Sequence, residues 1–135
     1  MKKLTLIWIL LFGLLLAACG GSSQPALEGT AWSLARLHGQ AALSGSAPTL
    51  VFKDGQASGS GSCNSFGGSY EIRGERLTFG PLAMTAMACA DSGLMEQESA
   101  YMTALAAASK FRLENDQLIL YDASGQALAE FVKGK

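Results

Sequence analysis

Histidine is nearly missing from this chain: His38 is the only one in 135 residues. A multi-histidine metal site is therefore excluded. No third group stands at the spacing that would turn His38 and a serine into a nucleophilic set, so it reads as a surface-loop residue. Cysteine is scarce too, at three residues, and none forms a CxxC pair of the kind that holds zinc. The 10 basic residues cluster nowhere, which removes the electrostatic footprint of a nucleic-acid binder. The 11 acidic residues are scattered and form no calcium loop. Gly59-Ser60-Gly61-Ser62-Cys63-Asn64 starts like a dinucleotide fingerprint. It lacks the third glycine, and no helix is predicted to follow it. No catalytic residue, metal or cofactor is expected.

The one long apolar run lies at the very start. Met1-Lys2-Lys3 precedes Leu4 to Leu16, and Ala17-Ala18-Cys19 follows. A charged start, a short apolar core and small residues before a cut site describe an export signal. The run is shorter than the ~20 residues that span a bilayer. Leu16-Ala17-Ala18-Cys19 looks like a lipobox, so residues 1–18 are expected to be cleaved and Cys19 to carry lipid. Gly20-Gly21-Ser22-Ser23-Gln24-Pro25 reads as a flexible tether, and 19–28 is assigned to the lipidated cysteine plus tether. Position 20 is Gly rather than the Asp of an inner-membrane retention signal. The expected place is the cell envelope: the outer membrane where the host has one, otherwise the outer face of the cytoplasmic membrane.

Residues 29–135 are enough for one domain with its own core. Without Lys2 and Lys3 the balance is 8 basic against 11 acidic residues, a formal −3, which suggests solubility and little more. A monomer is expected. With Cys19 assigned to lipid, Cys63 and Cys89 remain as an even pair in an exported protein. A disulfide between them would contribute roughly 3–4 kcal/mol in the chain-entropy model. Two free buried thiols are the alternative.

Alternation predicts strands at Thr30 to Leu37, Thr49 to Lys53, Gln56 to Gly61, Ser69 to Arg73 and Arg76 to Phe79. Three more fall around Phe111 to Leu113, at Gln117 to Tyr121 and at Gln126 to Val132. Asp54-Gly55 is a strong hairpin signal. Leu94 to Ala108 reads as the single helix. Leu94, Tyr101, Leu105 and Ala108, with Met95 and Met102 beside them, form its apolar stripe. Asp91, Ser92 and Gly93 are candidate N-caps. Glu98 lies near the stripe and reads as a capping or hydrogen-bonded carboxylate. The expected fold is α+β: a curved antiparallel sheet, a half-open barrel, packed around one helix.

At several points the chain resembles the META domain family of HslJ-like proteins, over roughly Leu27 to Val132. The likeness begins at Gly29-Thr30-Ala31-Trp32-Ser33-Leu34. It is strongest at Cys63-Asn64-Ser65-Phe66-Gly67-Gly68-Ser69-Tyr70. It continues at Met84-Thr85-Ala86-Met87-Ala88-Cys89 and at Glu98, Tyr101 and Leu105. Ser62 stands before the first cysteine where relatives usually have Gly, and Ala86 where many have Arg. The resemblance implies an α+β domain in the envelope, without enzyme activity or cofactor, in proteins linked to stress tolerance, drug resistance, motility or secretion.

The first functional expectation is a non-catalytic lipoprotein that binds an envelope protein. Its candidate binding loop, with Asn64, Phe66 and Tyr70, lies in or beside the Gly- and Ser-rich turn. The alternative is a carrier of a small apolar ligand, held between sheet and helix by Trp32, Phe52, Phe79, Tyr101 and Phe111. The same rings would equally serve a close-packed core.

Overall fold

The structure, a computed structural model, describes residues 26–134. The export signal, Cys19 and most of the tether lie outside the described residues. The strands are β1 (Thr30–Leu37), β2 (Gln40–Ala41), β3 (Thr49–Lys53), β4 (Gln56–Ser60), β5 (Ser65–Arg73), β6 (Arg76–Phe79) and β7 (Ala83–Met84). Helix α1 (Leu94–Ala107) follows, then β8 (Lys110–Glu114), β9 (Gln117–Tyr121) and β10 (Ala127–Lys133).

Period-two patterning decides which side chains turn inward. On β1, Trp32 and Leu34 are buried; on β3, Leu50 and Phe52; on β9, Leu118 and Leu120. Asp54 and Gly55 both take positive φ, 55° and 73°, the backbone of a tight two-residue hairpin. Neighbouring strands run β1-β3-β4-β5-β6-β8-β9-β10, and β10 pairs back onto β1. The curled antiparallel sheet expected from the sequence is therefore present, and its two edges join into a closed eight-stranded barrel. The seam sets Leu34 opposite Phe131 and Trp32 opposite Lys133. Closure leaves no unpaired edge in the ring. β2 pairs only with β1, and β7 only with β5.

Helix α1 lies across the end of the barrel where β4 finishes and β3 and β5 begin. It buries Leu94, Glu98, Tyr101, Ala104 and Leu105, a stripe at helical spacing. The Tyr101 ring packs edge-on against Phe66 and Phe131, at 5.8 and 6.2 Å between centroids. Its hydroxyl donates to the Thr49 carbonyl at 3.1 Å. Burial holds the phenol well above its ordinary pKa, so it stays neutral.

Several details differ from the sequence reading. β5 starts at Ser65 rather than Ser69, because Ser65, Phe66 and Gly67 pair with Ser60, Gly59 and Ser58 of β4; pairing overrides their weak strand preference. Two-residue β2 and β7 carry no readable period. Neither Asp91 nor Ser92 caps the helix. Gly93 holds the N-cap at φ 87°, without a side-chain bond. Leu27 and Glu28, read as the end of the tether, belong to the folded body: Leu27 is fully buried.

Candidate functional site

The chain between β4 and β5 turns sharply at Gly61-Ser62-Cys63-Asn64 under the first turns of α1. This turn can form because Gly61 has no side chain. A Cβ there would sit 2.7 Å from Glu98 Cγ and 2.8 Å from Glu98 Oε2. Ser62 follows at φ 121°, a backbone region that favours glycine. Its hydroxyl accepts a hydrogen bond from Gln97 Nε2 at 2.7 Å, which helps hold it there.

Glu98 comes down from the helix into this turn. Its Oε2 accepts the Cys63 and Asn64 backbone N–H groups at 3.0 and 2.6 Å, and Oε1 accepts Asn64 Nδ2 at 2.7 Å. Burial pushes this carboxyl up. The hydrogen bonds from the Asn64 side chain and from the Asn64 and Cys63 amides outweigh it, and the pKa ends below its ordinary value. Glu98 is thus a buried carboxylate ion whose lone pairs are engaged by its own chain. It ties helix to turn and is not poised to take a proton from a substrate.

Asn64 passes the link on to the strap that runs from β7 to the helix. Its Oδ1 accepts Thr85 Oγ1 at 2.9 Å and the Met87 N–H at 2.7 Å, and its Nδ2 also donates to the Met87 carbonyl at 3.0 Å. The Cys63–Cys89 disulfide closes the same strap on the same turn, with Cα atoms 5.9 Å apart. Turn, strap and helix are one cross-linked unit. Among the described residues, no buried side-chain polar atom lacks a partner, and no group of three or more His, Cys, Asp or Glu could hold a metal.

The residues singled out from sequence do not share one surface. Asn64 lies buried in the network, and Phe66 is buried against Tyr101. Tyr70 sits further along β5, with its ring edge-on to Phe52 at 4.8 Å. Its hydroxyl donates to Glu28 Oε2 at 2.5 Å, while Glu28 Oε1 accepts the Asp54 N–H. The Tyr70 hydroxyl and the Asp54 amide hold the Glu28 carboxyl below its ordinary pKa. Burial and the facing carboxylate raise that of Tyr70. This second polar cluster stands at the opposite end of β3 from the helix. His38 is exposed, as expected for a loop residue. Gln97 and Thr85 carry no local sequence signal, because their hydrogen-bond partners lie far away in the chain.

Comparison with known proteins places this arrangement. An NMR structure of a protein from Burkholderia xenovorans is similar, with 27% identity and a TM-score of 0.65 over 81% of this chain and 84% of that one. A second NMR structure gives 29% identity and a TM-score of 0.63, covering 78% and 91%. A crystal structure of a DUF4847 family protein from Bacteroides vulgatus shares the fold at 14% identity, with a TM-score of 0.60 over 82% and 96%. No curated protein matches. The family model for the META domain matches residues 25–135, which takes in the turn, the strap and the helix that carries Glu98; the chain belongs to the META domain family.

Proposed function

We propose that the protein is a non-catalytic, lipid-anchored envelope lipoprotein that serves stress tolerance, drug resistance or envelope integrity by binding another envelope protein. The observation that carries this reading is where the chain enters the barrel. Glu28 is fastened to the Asp54-Gly55 turn at one end of β3. The helix, the disulfide and the strap occupy the other end. A tether running from Cys19 to Glu28 would hold the membrane near the first end and turn the braced end outward. There, a surface stiffened by Glu98, Asn64 and the disulfide suits recognition of a partner without reordering cost. The engaged state of Glu98 supports a binding role over an acid–base one.

The test is chemical first. Intact mass of protein from the membrane fraction should match a chain starting at a diacylglyceryl-modified Cys19, and Cys19→Ser should release it from membranes. Uncleaved protein in the cytosol would sink the reading. Cross-linking in intact cells should then recover a stoichiometric protein partner, and its repeated absence would count against the binding role. The ligand-carrier reading has less support, because Phe52 packs on Tyr70 and Phe79 while Tyr101 packs on Phe66 and Phe131. Native mass spectrometry that finds a bound small molecule would restore it.

A further inference from the structure

Three of the four methionines after the initiator line one groove. Met84 lies on β7, and Met95 and Met102 lie two turns apart on α1. With Glu98, Ser99, Thr103 and Ala106 they line an open groove of about 470 Å³. Met87 follows Met84 on the same strap and is 60% exposed; Met84 and Met95 are each 39% exposed. Helical spacing sets Met95 beside the buried stripe, but its side chain lines this groove. The fully buried core holds leucine, alanine and aromatic side chains and no methionine; Met102 packs against its edge. At this groove the chain uses methionine.

We propose that the groove binds a soft monovalent cation, Cu(I) or Ag(I), through the thioether sulfurs of Met84, Met95 and Met102. Thioethers are soft, neutral donors of the kind that select Cu(I). Flexible methionine side chains can adjust to an ion held between two elements. The strap that carries Met84 is tied to the Cys63-Asn64 turn by Asn64 and the disulfide, and Glu98 ties that turn to the helix. Harder donors nearby are committed. Glu98 holds three N–H groups, Cys63 and Cys89 are joined, and His38 lines a different depression with Leu37, Gln40 and Leu43. Zn(II) and Cu(II), which want imidazole, thiolate or carboxylate, should be refused.

The test uses the purified, disulfide-intact protein in chloride-free buffer without thiols, titrated with Ag(I) as a redox-inert probe. Native mass spectrometry should show one bound ion. The methyl resonances of Met84, Met95 and Met102 should shift together in NMR. The Met84→Leu/Met95→Leu/Met102→Leu variant keeps the apolar volume and removes the donors. It should keep the far-UV spectrum and melting temperature and lose at least about tenfold in affinity, the scale of loss seen when a metal site is disturbed even at its outer partners. Cu(I), competed against a chelator, should follow the same pattern. Absence of one-to-one uptake, uptake unchanged in the leucine variant, or equal uptake of Zn(II) would each overturn the proposal. A protein partner cross-linked at this groove and kept by the leucine variant, without Ag(I) uptake, would assign the groove to docking instead.

Discussion

Glu98 was legible in the sequence only as a hydrogen-bonded carboxylate close to an apolar stripe; its partners lie 34 and 35 residues away. Its chemistry makes two predictions. Its pKa is depressed in the folded protein, so its contribution to stability is complete above the unfolded value near 4.5 and is lost as pH falls through the lower folded value. Thermal midpoints measured from pH 7 down to pH 3 should therefore fall in the acid range, and Glu98→Gln should flatten the share due to this residue. At neutral pH the same substitution turns an amide toward N–H donors. It should cost about 2–4 kcal/mol in urea unfolding, since charged hydrogen bonds are lost and buried donors go unpaired. Gly61→Ala tests the close approach directly. A methyl group 2.7 Å from Glu98 Cγ has no room, and a loss of about 1–3 kcal/mol is expected from overpacking. A variant as stable as the parent would show that the turn relaxes.

Elements separate into those with a period and those held by others. β1, β3, β6 and β9 were readable from alternation alone, because one face of each looks at the core and the other at water. The strap from β7 to α1 has no such pattern. Its strand is two residues long, and its order rests on Asn64, Thr85 and the disulfide. The pairing of Cys63 with Cys89 followed from counting cysteines, yet the sequence held nothing about what the bond braces. Cys63→Ser/Cys89→Ser should lower stability by roughly 3–4 kcal/mol in the chain-entropy model. Hydrogen exchange should then quicken first at the Thr85 and Met87 amides, whose acceptors are Ser65 and Asn64, while the β1–β10 pairing stays protected. Uniform loss of protection would mean that the strap is not a separate unit. The helix start is another case of tertiary control: Asp91 and Ser92 are good caps by type, but the N-cap is Gly93, in the left-handed region, and the helix begins at Leu94.

Across the whole molecule, closure is the decisive event. β1 and β10 lie at opposite ends of the domain sequence and pair along Trp32 to Leu37, so the barrel is complete only when the last strand arrives. Long-range pairing of this kind slows folding relative to local contacts. Phe131 stands at this seam, opposite both Leu34 and Leu118 and against Tyr101. Phe131→Ala should cost about 3–5 kcal/mol as a core cavity, read from the denaturant midpoint. A loss below 1 kcal/mol would mean that the seam is dispensable. Among the described residues, no helix is long and apolar enough to cross a membrane. The proposed membrane location therefore rests on the resemblance of Leu16-Ala17-Ala18-Cys19 to a lipobox and on the barrel end at which the tether would enter.

Sequence alone determined the inward faces of most strands, the single helix, the hairpin at Asp54-Gly55 and the family resemblance. Each of these is written in local period, local turn chemistry or short motifs. Tertiary structure alone decided that the sheet closes on itself, that Glu98 is spent on the Cys63-Asn64 turn, that Phe66 and Tyr70 point to different places, and that three methionines from two elements share a groove. Those facts depend on contacts between residues far apart in the chain, and no local pattern encodes which distant partner a side chain meets.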